Sequence, residues 1–173
     1  MPIERNHCAL IGLLAGLTLA LAGAGGTFAA ELKITGPAGR VVILSQADLA
    51  AIPHYDLQVE LEGKAIAFSG VPLTALLERV GAPTGKALRG RALCDIVVVS
   101  ASDGYAVTLA LAETDPMFRK DRVLIADRAD GAVLPDEFGP FRLVVEGDLR
   151  GARFARMVTE ISVVELSPCG RRK

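Results

Sequence analysis

Histidine and cysteine are scarce in this chain, two and three among 173 residues. His7 and His54 lie far apart, and the cysteines Cys8, Cys94 and Cys169 have none of the short spacings that zinc ligands need. This argues against a protein-built zinc site. A serine hydrolase is disfavoured as well: no serine stands in a Gly-x-Ser-x-Gly elbow, and His54, which follows Pro53, reads as a loop residue rather than a base. Neither a phosphate-binding Gly-x-x-x-x-Gly-Lys nor a dinucleotide Gly-x-Gly-x-x-Gly pattern is present. Positive charge is not in excess either. The net charge of −1 supplies none of the basic surplus that a nucleic-acid partner would demand. The complete set of reactive residues that would mark an obvious enzyme is missing.

The N-terminus does carry a signal. Arg5 and His7 precede an apolar run from Ala9 through Ala22, and Thr27-Phe28-Ala29 places small residues at the −3 and −1 positions of a cleavage site. The run falls short of the roughly 20 residues of a membrane-spanning helix, and Gly12, Gly16 and Gly23 weaken it further. Residues 1–29 therefore read as a cleaved secretory signal and residues 30–173 as the mature domain, destined for the periplasm. Losing Glu4 and Arg5 leaves the net charge unchanged. The mature part contains no further stretch long and apolar enough to span a membrane, no repeat and no low-complexity linker, and its length suits one domain. An exported protein meets conditions in which disulfides form. Cys94 and Cys169 can then be a staple for the C-terminal tail, or a buried thiol beside a frayed end.

Short strands are expected to dominate. Arg40 to Leu44 is rich in β-branched residues, and Ser45 with Asp48 three positions on starts a capped short helix through Ala51, before Pro53. Leu57, Val59 and Leu61 alternate with Gln58, Glu60 and Glu62, the pattern of a half-buried strand, and Glu62-Gly63-Lys64 turns it into a second arm at Ala65 to Phe68. The clearest helix follows Gly70-Val71, with Pro72 at its first position, an apolar stripe of Leu73, Leu76, Leu77 and Val80, and Gly81 and Pro83 as its stop. Further strands are expected at Leu93 to Ser100, from Tyr105 to Ala110 after an Asp103-Gly104 turn, at Val123 to Ala126, at Leu143 to Val145 and at Glu160 to Glu165. Between the last three run two loops, Asp127 to Gly131 and Leu134 to Pro140. The second is long, and long loops more often carry sites than packing. With one good helix and no regular β-α-β alternation, the class is α+β, strand-rich and of a single domain.

One chemical concentration stands out. Arg142, Arg150, Arg153 and Arg156 crowd the stretch after Gly139-Pro140. Guanidinium forks suit anionic or planar ligands, because they donate paired hydrogen bonds and stack on flat faces. Gly147 and Gly151 would let backbone come close to such a ligand. The plainer reading is a solvated set of arginines neutralised by Asp136, Glu146 and Asp148.

Four blocks in order, Phe68-Ser69-Gly70-Val71-Pro72-Leu73-Thr74-Ala75-Leu76-Leu77, Ala101-Ser102-Asp103-Gly104-Tyr105, Gly139-Pro140-Phe141-Arg142-Leu143-Val144-Val145-Glu146-Gly147 and Gly151-Ala152-Arg153-Phe154, resemble the oxidoreductase molybdopterin-binding domain of sulfite-oxidase-type enzymes. The resemblance runs from about Leu44 to Leu166. It implies that fold and, for the enzymes, a molybdenum held by a cysteine thiolate ahead of the Gly-Val-Pro-Leu block. Here Ala51 to Ser69 contains no cysteine, and Arg156-Met157 stands where many of the enzymes have lysine and tryptophan. A smaller branch of short exported proteins, keeping the core without that cysteine, is more similar. What this resemblance implies is a non-catalytic pterin-binding protein that partners an inner-membrane signalling protein. The alternative it leaves open is an oxidoreductase, or its subunit, that retains the molybdenum cofactor without a cysteine ligand. By similarity, Asp103, Asp127 and Arg142 would read the edge of the pterin and Tyr105, Phe141 and Phe154 would offer stacking faces, with Arg153 and Arg156 as further cofactor-binding residues.

Overall fold

A computed structural model describes residues 30–167. The expected signal and Cys169 lie outside these residues. The strands form two sheets. The first contains β1 (Glu31–Thr35), β2 (Val41–Ser45), β5 (Ile96–Ala101), β6 (Ala106–Ala110) and β10 (Val158–Val164) in the order β2-β1-β10-β5-β6. The second runs β3 (Tyr55–Leu61), β4 (Lys64–Pro72), β7 (Val123–Ala129) and β8 (Ala132–Val133), with β9 (Arg142–Val145) also on β7. All pairings are antiparallel except β1 with β10. Two short helices, α1 (Gln46–Ala50) and α2 (Leu73–Arg79), complete the α+β class.

Local chemistry accounts for most element boundaries. Ser45 Oγ accepts from the Asp48 amide at 3.1 Å while the Asp48 carboxylate accepts from the Ser45 amide at 2.9 Å, a reciprocal cap that opens α1. The Ser45 hydroxyl and amide hold the Asp48 carboxyl below its usual pKa. Between β3 and β4, Glu62 and Gly63 both take positive φ (52° and 77°), the geometry of a two-residue turn whose twist matches its strands. Leu57 and Val59 face inward as their alternation requires. In α2, Leu73, Leu76 and Leu77 are fully buried against β4 and β7, and Val80, its C-cap, is nearly so, in a core shared by both sheets. Gly81 at φ 79° follows this helix.

Several expectations need correction. The second arm of the hairpin does not stop at Phe68: β4 runs on through Gly70 and Val71 into α2, and Pro72 is the N-cap rather than the first helical residue. A proline fits the end of a strand because it has no amide to give the ladder. Leu93 and Cys94 belong to a short 3-10 turn, Gly90–Cys94, and the strand begins only at Ile96. Asp127 to Ala129 are strand, not loop. The β4–β7 register shifts between Ser69 and Gly70, so that Arg128 faces Ser69, Ala126 faces Gly70 and Asp127 is the extra residue of a bulge. The turn that follows is just Asp130-Gly131, both at positive φ. Strand β1 had no expectation at all, although its Leu32 and Ile34 alternate with Glu31, Lys33 and Thr35 and are fully buried.

Cys94 is disulfide-bonded, and the cysteine that closes the bond lies outside the described residues. Beside it, Asp95 is 4 % exposed and its Oδ1 has no hydrogen-bond partner among the described residues. Burial, with the charge of Glu165 adding to it, pushes the Asp95 carboxyl above its ordinary value, despite an opposing amide hydrogen bond from Leu166. A raised carboxyl pKa favours the protonated form in the folded state, so the cost of the carboxylate develops as pH rises above the ordinary 3.8. Asp95→Asn should therefore melt higher than the parent protein at pH 7. That advantage should shrink as the melts are repeated toward pH 4. Identical melting temperatures at pH 7 would show that the carboxylate carries no such cost.

Candidate functional site

A cavity of about 1030 Å³ opens between the β3–β4 hairpin, the loop after β8 and the stretch from Leu149 to Arg156. The cations Lys64, Arg142, Arg150 and Arg156 line it against the carboxylates Glu62 and Asp130. One oxygen of Asp130 is already committed, accepting from the Ala67 amide at 2.9 Å. The surplus is positive, which suits an anionic guest.

Arg142 lies at the centre of the arrangement. As the first residue of β9 it is placed by pairing with Ala126 of β7. Its guanidinium carbon lies 5.3 Å from the centre of the Phe68 ring and 5.0 Å from that of Phe138. Arg156 sits 5.7 Å from the same Phe138 ring. Contacts of this kind are worth roughly 0.5–2 kcal/mol each, rising as water is excluded. Burial chiefly, and then the charge of Arg156, lowers the Arg142 pKa. Among the described residues its buried Nε has no hydrogen-bond partner and none of the ion pairs includes it. A buried donor without an acceptor is costly, so this nitrogen favours any ligand that brings one.

Met157 helps to aim Arg156. It holds φ at 50°, unusual for a side-chain-bearing residue, yet its amide donates to the Phe138 carbonyl at 3.3 Å and its carbonyl accepts from the Ser102 amide at 3.0 Å. The backbone turn beside Arg156 is thereby tied to the loop carrying Phe138.

Of the other residues singled out in the sequence, Phe154 and Arg156 join Arg142 on the cavity. Phe154 is 3 % exposed and meets Phe68 edge to face at 6.5 Å. Arg153 is turned elsewhere: its Nε and Nη2 bind Asp148 at 2.8 and 2.6 Å and its Nη1 reaches Glu113 at 3.3 Å, contacts that raise its pKa. Asp103 accepts from the Tyr105 amide at 2.9 Å, and the Tyr105 hydroxyl donates to the Ala152 carbonyl at 2.6 Å. Asp127 is buried on the bulge, 3.2 Å from His54 Nε2, while His54 Nδ1 lies 2.7 Å from the Ile52 carbonyl. Phe141 is fully enclosed in the core. These last four residues do not line the cavity. The glycines also find protein neighbours. A Cβ on Gly151 would come within 2.7 Å of Leu61 and one on Gly147 within 2.8 Å of Asp121.

Sequence reasoning passed over Phe68, Lys64 and Phe138. The usable signal was the long loop from Leu134 to Pro140, whose aromatic residue is Phe138.

The family model described as the oxidoreductase molybdopterin binding domain matches residues 29–170. The chain belongs to this family. A search of curated proteins gives no match. Among solved structures, this molybdopterin-binding domain is similar to the sulfane dehydrogenase SoxCD from Paracoccus pantotrophus, with 18% identity and a TM-score of 0.59. The match covers 79% of this chain and 38% of that one, so the domain spans well under half of the other chain, and the likeness is one of fold.

The group that the family implies can be tested against the residues present. A pterin is flat and polar, and molybdopterin adds a phosphate. The unpartnered Arg142 Nε, the flanking Phe rings and the cationic surplus fit such a molecule. For a metal the donor set is different. The cavity lining contains no cysteine or histidine, Cys94 is committed to its disulfide, and the described residues hold no group of three His, Cys, Asp or Glu able to bind an ion.

Proposed function

We propose that this molybdopterin-binding domain takes up a pterin in the Arg142 cavity without catalysing a reaction on it, and that it serves after export as the ligand-sensing partner of a membrane signalling protein. The observation that carries the reading is the half-buried guanidinium of Arg142, its Nε enclosed, faced by two aromatic rings and balanced by no carboxylate among the described residues. When bound, a pterin would supply a flat ring for the arginine planes and a donor-acceptor edge for a carboxylate. Glu62 and the second oxygen of Asp130 are the carboxylate groups at the cavity able to read that edge. The periplasmic part of the proposal is supported by the apolar N-terminal run ending at Ala29 and by the Cys94 disulfide, since such bonds persist in oxidising compartments. The signalling partner rests on the resemblance to short exported relatives.

A second reading has one observation in its favour. The surplus of cations suits a phosphate-bearing molecule, so the domain could instead hold the complete molybdenum cofactor non-covalently. Protein isolated from the periplasm of its native host separates the two. Pterin fluorescence without molybdenum by elemental analysis is the expected result; stoichiometric molybdenum would favour the second reading. Protein free of both, which also fails to take up added pterin, would sink both.

A further inference from the structure

Phe138 occupies an unusual position for a ring on a long loop. It is half-buried, whereas Phe68, Phe141 and Phe154 are all nearly or fully enclosed. Two guanidinium groups share it, Arg142 at 5.0 Å and Arg156 at 5.7 Å, and neither has a carboxylate partner among the described residues. Two like charges near one neutral ring form a weak arrangement, because the ring's quadrupole attracts a cation far less than an anion does. The backbone around it is held firmly. The Phe138 amide donates to the Pro135 carbonyl at 2.9 Å, the Gly139 amide to the same carbonyl at 2.8 Å, and the Phe138 carbonyl accepts from Met157. The loop is therefore held by its backbone and does not depend on the ring for its position.

We infer that Phe138 is the selectivity residue of the cavity, capping the Arg142–Arg156 pair against small inorganic anions and yielding it to a flat anionic heterocycle. The inference rests on the pterin reading of this site. On this inference, a small tetrahedral anion that bridges the two arginines replaces their contacts with the Phe138 ring and offers no flat surface in exchange. A flat ligand regains what the ring gives up, because its own face lies against the guanidinium planes while its acceptors meet their N–H groups. Selectivity then arises from the different cost of displacing one side chain, with no specific contact from Phe138 to the ligand's edge required.

The test is a calorimetric titration of inorganic phosphate into the full domain and into Phe138→Ala, with circular dichroism confirming that both are folded. Phe138→Ala should bind phosphate at least tenfold more tightly than the parent, about 1.4 kcal/mol. Adding Arg142→Lys to that variant should abolish the gain. Phe138→Leu, which keeps apolar bulk and removes both cation–π contacts, should gain severalfold, and it carries the test if the alanine variant does not fold. Equal phosphate affinity in the parent and the folded variants overturns the inference, as does a gain that survives Arg142→Lys. Phosphate is the probe throughout, so the outcome is read separately from pterin binding. A parent protein that takes up no pterin while Phe138→Ala still gains phosphate would defeat the pterin reading and leave the capping role standing.

Discussion

Replacing Arg142 by lysine should leave the domain folded with near-native stability and cost it tenfold or more in pterin affinity, about 1.4 kcal/mol. Lysine keeps a positive charge but loses the planar fork that both stacks between rings and donates paired hydrogen bonds. The parent guanidinium lies close to Phe68 and Phe138, and its buried Nε has no partner among the described residues. An ammonium group has neither the flat faces nor that nitrogen. The competing explanation, that Arg142 serves an internal ion pair with Asp103 or Asp127, finds no contact to rest on. Asp127 faces His54 and Asp103 accepts from the Tyr105 amide. Calorimetric titration of pterin into both proteins, alongside thermal melts, decides the matter. Unchanged affinity in a folded Arg142→Lys protein would make the residue structural and move the ligand toward Arg150 and Arg156.

A larger energetic effect is expected from the helix. Leu77→Ala should destabilise the domain by about 2–5 kcal/mol, the usual range when a buried leucine leaves a cavity. Leu77 is fully buried, with Leu73 and Leu76 beside it, and α2 rests on β4 and β7. Those strands continue to the site, since β7 pairs with β9 and so positions Arg142. Stabilities of whole domains are about 5–15 kcal/mol, so the loss would consume a large share. It should appear in urea as a lower midpoint with an unchanged slope. A loss below about half a kcal/mol, outside the range for large-to-small core changes, would mean that this face of the helix carries little of the core.

Elements governed by near neighbours were legible in the sequence. The Ser45–Asp48 cap, the Glu62-Gly63 turn, the apolar stripe of α2 and the Val107–Leu109 alternation each depend on residues within a turn or two. Those governed by distant partners were not. Asp127 looks like loop because it is followed by Asp130-Gly131, yet pairing with β4 keeps the chain extended through the bulge. A Cβ on Gly70 would approach Ala126 Cα to 2.4 Å, so glycine there is a requirement of the β4–β7 contact, invisible from its own neighbours. The site shows the same division. The arginine-rich stretch announced itself by composition, but composition could not say that Arg153 would be taken by Asp148 and Glu113 while Arg142 and Arg156 met at Phe138. Aromatic residues divided likewise, for Phe141 and Phe138 stand three positions apart and only one of them reaches the cavity.

The parallel pairing of β1 with β10 has a mechanical consequence. Lys33 lies opposite Glu160 and Thr35 opposite Ser162, so the two strands run side by side in the same direction at the middle of their sheet. The chain enters β1 at one end of the pair and leaves β10 at the other. Tension applied through these two ends would slide the strands along each other and load their hydrogen bonds together, whereas a hairpin pulled at its open end parts one bond at a time. Force between the two ends of the described chain would thus fall first on the β1–β10 pair, along the direction in which its hydrogen bonds share the load.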